Sequence, residues 1–311
     1  MRKWTPANMP DLSGKRAIVT GSSSGLGYYT AQELARKKAH VVMACRDRDK
    51  AATAIREIKN QVPQASIEFI PLDLSDLDSI ARFTRAFKTI HSRLDVLHNN
   101  AGVMALPLAR TRHGFEMQIG TNHLGHFALT GLLLDVLRGT PGARVVNTAS
   151  LAHKWTRGMR LDDINWQITP YRKWDAYGKS KLANLLFTYE LQRRLRAAGA
   201  DTISVAAHPG YAATNLQAVG PRMEKSMAGR LIMKIGNVLL AQSAEMGVLP
   251  QLYAASMSDV FGGDYFGPDR LGENRGYPKR VKSNAASHDA ETARKLWRLS
   301  EKLTGVHFLS E

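Results

Sequence analysis

Thr20-Gly21-Ser22-Ser23-Ser24-Gly25-Leu26-Gly27 stands between a short apolar run, Arg16-Ala17-Ile18-Val19-Thr20, and a helical pattern from about Gly25 to Lys38. An apolar run closed by a glycine cluster reads as a strand that turns tightly into a helix. Glycine permits the tight turn and lets backbone approach a ligand closely. The first turn of the following helix offers free N–H groups and a partial positive charge, which suit a pyrophosphate. A glycine pattern alone is weak, because any βα turn can hold one. Its place after a strand and before a helix gives it weight. Gly21, Ser23, Ser24, Gly25, Leu26 and Gly27 are therefore candidate phosphate-binding residues.

Outward from this loop, strands and helices alternate. His40–Cys45, Ser66–Ile70, Leu94–His98, Ala143–Asn147 and Thr202–Ala207 read as further strands, and Tyr265-Phe266 sits in a seventh. Helices are expected at about 49–60, 77–90, 113–137, 176–198 and 289–302. Short apolar strands alternating with helices give βαβ units, hence an α/β fold with a doubly wound parallel sheet of about seven strands and helices on both faces. Residues 1–13, with Pro6 and Pro10, read as an extended arm, and residues 14–311 as one domain.

The end of the second strand selects the cofactor. An acid there would hold a ribose 2′-hydroxyl, as NAD requires. The chain instead reads Ala44-Cys45-Arg46-Asp47, with Cys45 where the acid would stand. The Arg46 guanidinium can hold a 2′-phosphate with two hydrogen bonds, which favours NADP(H). Asp47 would reverse this if the register moved by two residues.

The chemistry lies in Tyr177-Gly178-Lys179-Ser180-Lys181. Positions i and i+4 share a helix face, so Tyr177 and Lys181 can reach the same ligand. A phenol is a poor acid–base catalyst near neutrality, and a neighbouring ammonium is expected to lower its pKa. Such pairs are common by chance, but this one has company at strand ends, where open α/β sheets bind ligands. Ser150 ends the fifth strand and can donate to a carbonyl oxygen. Asn99-Asn100-Ala101-Gly102 follows the fourth, with a simple Asn/Gly turn as the plain alternative. Asp73-Leu74 follows the third, where Asp73 could bind adenine or cap the next helix. Pro209-Gly210 follows the sixth. Asn122 lies inside a helix, where Asn is disfavoured, so a buried polar role is expected.

Taken together, these motifs resemble the short-chain dehydrogenase/reductase family over about residues 14–268. The resemblance implies that Tyr177 is general acid in carbonyl reduction and base in alcohol oxidation. It implies that Lys181 lowers the Tyr177 pKa and holds the nicotinamide ribose, that Ser150 polarises the carbonyl, and that Asn122 supports a water leading to Lys181. Asn99, Ala101 and Gly102 would flank the adenosine side, and Thr214 would contact the carboxamide. Thr30-Ala31, Ala44–Asp47, Asn122–Phe127 and Ser180–Asn184 resemble the retinol dehydrogenase and protochlorophyllide reductase branch, as does the 26-residue gap between Ser150 and Tyr177. Residues 212–251, rich in Met and aliphatic side chains, fall where the family has a substrate lid. Trp155 and Trp166 are expected on the opposite wall, around an apolar substrate. The expected activity is an NADP(H)-dependent carbonyl reductase or alcohol dehydrogenase. Enone reduction on the same scaffold and a non-catalytic NADP-binding regulator are the alternatives.

The bulk composition sets the remaining bounds. The 311 residues carry 43 Lys+Arg against 27 Asp+Glu, a net charge of +16. The bases are spread along the chain, so a solvated basic surface, which helps an anionic cofactor approach, is preferred to nucleic-acid binding. One cysteine, Cys45, leaves no internal disulfide and no thiolate zinc site, and a reducing, cytoplasmic setting is expected. His123 and His126 have ligand spacing but no third partner in sequence, so no metal is expected. No run has signal-peptide or membrane-span length. A small-molecule carbonyl or alcohol is the expected partner, with a homo-oligomer open.

Overall fold

The computed structural model describes residues 3–211 and 242–309. Eight strands form one sheet in the order β3-β2-β1-β4-β5-β6-β7-β8. They are β1 (Arg16–Thr20), β2 (His40–Cys45), β3 (Ile67–Pro71), β4 (Val96–Asn99), β5 (Arg144–Thr148), β6 (Ile203–Ala207), β7 (Tyr265–Arg270) and β8 (Arg275–Arg280). The first seven run parallel and β8 returns antiparallel to β7. The helices are α1 (Gly25–Arg36), α2 (Arg48–Gln61), α3 (Leu77–Ile90), α4 (Met117–Ile119), α5 (Gly125–Leu132), α6 (Leu134–Arg138), α7 (Lys173–Ala197), α8 (Ala244–Gly247), α9 (Leu249–Ser256) and α10 (Ala290–Thr304).

Successive strand residues face opposite sides of a sheet. In β1, Ala17 and Val19 pack with Leu34 of α1, Ile58 of α2 and Leu252 of α9. Ile18 packs the other way, with Phe83 of α3, Phe127 of α5 and Trp297 of α10. The apolar strands that gave no alternation in sequence are thus covered on both faces, as a parallel sheet requires. The strand order reverses direction between β1 and β4, which opens a crevice at the carboxyl ends of these strands.

Three expectations change. The eighth strand, Arg-Gly-Tyr-Pro-Lys-Arg, has no apolar alternation. It is an edge strand, and Pro, Lys and Arg there limit pairing with another chain. The helix expected at 113–137 starts at Met117 and is broken by a π-turn over Gly120–Leu124. The arm is not free: Trp4 and Met9 are buried, and Trp4 meets Tyr253 edge-on with centroids 5.2 Å apart. Among the described residues no helix is long and apolar enough to cross a membrane.

Candidate active site

The carboxyl end of β1 is fastened first. The Thr20 hydroxyl accepts from the backbone N–H groups of Asn100 and Ala101, each at 2.9 Å, and Asn100 Nδ2 donates to the Thr20 carbonyl at 2.8 Å. The Asn-Asn-Ala-Gly segment after β4 therefore grips the root of the glycine loop. A Cβ on Gly27 would lie 2.5 Å from the Gly21 carbonyl oxygen, so only glycine lets α1 start this close to the turn. Ser24 precedes α1 in an extended conformation, without a side-chain cap and with no acid in the first turn. The first-turn N–H groups are thus free of competing carboxylates, and the loop fits a pyrophosphate.

Arg46 is exposed just beyond β2. Cys45 is buried, and Gly21 N–H donates to the Ala44 carbonyl at 2.8 Å, so the end of β2 abuts the loop. Asp47 caps α2, accepting from Lys50 N–H at 3.0 Å, and pairs with Lys50 Nζ at 2.8 Å. Its carboxylate is committed to the helix. Asp73 is not a helix cap: Asp76 caps α3, while Asp73 accepts from the Ser75 N–H and hydroxyl at 2.9 and 2.7 Å. Leu74 is buried, and its carbonyl packs against Gly125. The Asn99 side chain lies inside the sheet layer, donating to Thr130 and Asn147.

Ser150, Tyr177 and Lys181 meet at the ends of β5 and α7. Ser150 caps a 3-10 turn, Leu151–Trp155. A Cβ on Gly178 would lie 2.9 Å from the Ala152 carbonyl, so the glycine between the two catalytic candidates brings α7 against that turn. The Ser150 hydroxyl is close enough to the Tyr177 phenol to favour its ionised form. Lys181 Nζ donates to the Thr148 carbonyl at 3.0 Å and lies 5.8 Å from the Tyr177 ring centroid. Both side chains are buried. Burial pushes the Tyr177 phenol up to about 12, against the opposing influence of the Ser150 hydroxyl, and pushes Lys181 down to about 8. Burial is the larger of the two effects on Tyr177, and the phenol is held protonated.

Asn122 sits in the π-turn, a helix irregularity frequent at functional sites. Its Oδ1 accepts from Val103 N–H at 2.8 Å, and its Nδ2 donates to the Val103 carbonyl and the Ser180 hydroxyl, both at 2.9 Å. Its main-chain carbonyl accepts from His126 Nδ1 at 3.0 Å. Asn122 is thus a brace joining the segment after Gly102 to α7, beyond the water-binding part expected of it. Gly102 lies against both Asn122 and Lys181. Burial lowers His126 to about 4, so it is neutral and its Nε2 accepts from the Thr20 hydroxyl at 3.0 Å. The phosphate loop and the Asn122 brace are joined through this ring. His123 is bonded to Ser300, so His123 and His126 do not converge on a common point.

Ser180, Gly178, Thr20 and Asn100 were given no role by sequence reasoning, and His126 was weighed only as a metal ligand. The first two lie inside the Tyr177–Lys181 motif, and that placement was the available signal. Of the remaining expected residues, Pro209 is tied by its carbonyl to Gln242 at 2.7 Å, and Gly210 N–H donates to His208 at 3.2 Å. Ala101 and Gly102 lie at the carboxyl end of β4 beside the loop. Thr214 and most of the 212–251 lid lie outside the described residues. From Val248 the chain is buried cover for the sheet, so that end of the expected lid is core. Trp166 is buried against Tyr171 and Lys179 and not on the substrate side, whereas Trp155 and Trp174 are exposed beside one another, with Trp174 6.4 Å from Tyr177.

A parallel sheet with a glycine loop at its switch point and a Ser-Tyr-Lys cluster at its carboxyl edge defines a nicotinamide-dependent oxidoreductase of the Rossmann type. A short chain dehydrogenase family model matches residues 15–161. Human retinol dehydrogenase 13 is 39% identical over 302 residues, which cover 95% of this chain and 86% of that protein. An uncharacterized protein from Mycobacterium Paratuberculosis, solved by crystallography, is 43% identical with a TM-score of 0.80, covering 98% and 99% of the two chains. A crystal structure from Beutenbergia cavernae, described as an NAD(P)-dependent gluconate 5-dehydrogenase with bound NADP, is 25% identical with a TM-score of 0.60, covering 79% and 91%. The chain belongs to the short-chain dehydrogenase family, and within it to the retinol dehydrogenase branch.

Proposed function

We propose that this chain is an NADP(H)-dependent enzyme that interconverts a carbonyl and an alcohol on an apolar substrate, with residues 14–311 as one catalytic domain. The observation that carries this reading is the meeting of Ser150, Tyr177 and Lys181, with Tyr177 and Lys181 buried side by side and Lys181 Nζ 5.8 Å from the Tyr177 ring centroid. When bound, the nicotinamide supplies or takes the hydride. Tyr177, held protonated, gives its hydroxyl proton to the carbonyl oxygen in reduction and receives it back in oxidation. Ser150 donates to the same oxygen and polarises it. Lys181, cationic below about pH 8, stabilises the phenolate left behind. Asn122 keeps Lys181 and the segment after Gly102 in register.

Preference for NADP(H) rests on Arg46, exposed next to the loop, and on the diversion of Asp47 into a helix cap. The bound NADP named for the Beutenbergia protein agrees with it. An apolar substrate is supported by exposed Trp155 and Trp174 near Tyr177, by the Met-rich sequence at 212–251, and by the retinol in the human relative's name. A single cysteine suits a reducing, cytoplasmic setting.

The test is to titrate the protein with NADPH and NADH, then assay retinal and a small polar ketone with the preferred cofactor. The reading expects NADPH preference that is lost in Arg46→Ala, turnover of retinal, and none in Tyr177→Phe. Equal affinity for the two cofactors would refute the Arg46 assignment. Turnover of polar ketones alone would refute the apolar substrate. Cofactor binding without any turnover would favour a regulator.

A further inference from the structure

His40, Glu68 and His91 converge at the amino end of the sheet, opposite the catalytic edge. His40 opens β2, Glu68 is the second residue of β3, and His91 caps the end of α3. The register pairs Val42 with Glu68, and Val42 packs on the α3 face, so the three side chains meet under the end of that helix. His40 Nε2 lies 3.1 Å from Glu68 Oε1, and His91 Nε2 makes a short contact with the same oxygen. The three donor atoms all lie within 4.8 Å of one another. His40 Nδ1 is 2.7 Å from the Ser66 hydroxyl.

We propose that His40, Glu68 and His91 form a binding site for a divalent late first-row transition ion, zinc above all. Two imidazoles and one carboxylate suit zinc, cobalt and nickel, and not magnesium or calcium, which take oxygen donors. Metal–donor bonds of about 2.1 Å place tetrahedral donors about 3.4 Å apart, a spacing reached here by small side-chain rotations. Ser66 supplies the outer partner that a ligating histidine needs. When Nδ1 donates to the hydroxyl, the Nε2 lone pair faces the cluster. His91 is buried, while His40 and Glu68 are about a quarter exposed (27% and 29%), which leaves an entry path and room for a water as fourth ligand. The second histidine–carboxylate group, Asp76, Asp78 and His113, differs: Arg82 and Arg112 already pair with Asp76, so its charge is neutralised by cations. A metal at His40, Glu68 and His91 would cross-link the edge strand β3 to β2 and to α3. It is remote from the Tyr177 site and independent of the proposed reaction.

The test uses the full chain, stripped with a chelator and titrated with zinc by calorimetry. Cobalt absorption then reports the coordination, and Tm is read with and without zinc. The site predicts saturation at one zinc per chain, a tetrahedral cobalt spectrum, and a Tm that climbs with zinc concentration. Ser66→Ala should leave the metal-free Tm in place and weaken zinc binding roughly 10–100-fold. His91→Ala should abolish binding, and His113→Ala should leave it intact. Wild-type protein that takes up no stoichiometric zinc overturns the proposal. So does zinc binding that persists unchanged in Glu68→Gln and His40→Ala.

Discussion

Gly178→Ala separates the geometry of the catalytic cluster from its chemistry, because it removes no functional group. An ideal Cβ at this position lies 2.9 Å from the Ala152 carbonyl oxygen. Favourable heavy-atom contacts begin at about 3.5 Å, so α7 and the 3-10 turn must part by roughly half an ångström. Ser150 caps that turn and Tyr177 precedes Gly178, so the separation moves the Ser150 hydroxyl away from the Tyr177 phenol directly. A misplacement of 1 Å costs about 100-fold in rate, which puts this variant at roughly tenfold in kcat/KM. Stability moves less. Overpacking costs about 1–3 kcal/mol, while alanine in a helix interior returns close to 1 kcal/mol relative to glycine. A net loss of about 1 kcal/mol lowers Tm by roughly 2–4 °C. The assay is NADPH-dependent reduction of retinal, followed by NADPH absorbance, beside a melting curve. Gly158→Ala is the control, because nothing lies within 4 Å of its Cβ. A Gly178→Ala enzyme with wild-type kcat/KM and a raised Tm would show that the close approach has no part in the activity.

Three other outcomes are expected. Lys181→Met should abolish reduction yet stabilise the fold near neutral pH. Burial holds Lys181 at about 8 against an ordinary 10.5, a penalty of about 3 kcal/mol that fades as pH rises from 8 to 10.5, and melting curves at pH 7 and pH 10 will show whether the gain shrinks. Glu273 joins Lys154 of the Ser150 turn (3.0 Å) to His208 after β6 (3.2 Å), so Glu273→Ala should lower kcat/KM several-fold while circular dichroism stays native; unchanged kinetics would reduce the bridge to a surface ion pair. His98, His123, His126 and His153 are held by burial at about 3, 3, 4 and 4, so the unfolded chain binds more protons below pH 6.5 and each ring removes about 1.4 kcal/mol per pH unit down to its folded value; a Tm that stays level from pH 7 to pH 5 would contradict their neutrality.

The fold was readable because its strands are apolar on both faces and its helices are punctuated by glycine and polar caps. β1 and α3 fall on the residues their patterns indicate. The pattern failed where a different force sets the structure. β8 is held by its hairpin partner β7 and by Gln242, 34 residues upstream, which accepts from Gly276 N–H at 3.1 Å. The break at Gly120–Leu124 lies among weak helix formers, Gly120, Thr121, Asn122 and His123, which weaken a helix without specifying a π-turn. Tertiary bonds from Asn122 to Val103 and Ser180 impose the π-turn, and local propensity has no access to them.

The same distinction runs through the site. Residues that carry the proposed chemistry stand in short motifs at strand ends, so Ser150, Tyr177, Lys181 and the glycine loop could be named from order and spacing. The residues that hold them are mostly neutral buried rings and hydroxyls whose partners lie far along the chain. His126 joins Asn122 to Thr20, 106 residues away. His153 donates to the Ser150 carbonyl at 2.6 Å and accepts from Asn284 N–H at 3.2 Å, 131 residues away. His208 accepts from Gly210 and donates to Glu273. A buried imidazole kept neutral has one donor and one acceptor at opposite corners of a rigid ring, so it can tie two segments without introducing a charge. Metal ligation needs several such nitrogens aimed at one point. Here each of these three rings is spent on two separate partners, so His126, whose spacing from His123 suggests a ligand pair, serves in the fold as a strut between Asn122 and Thr20.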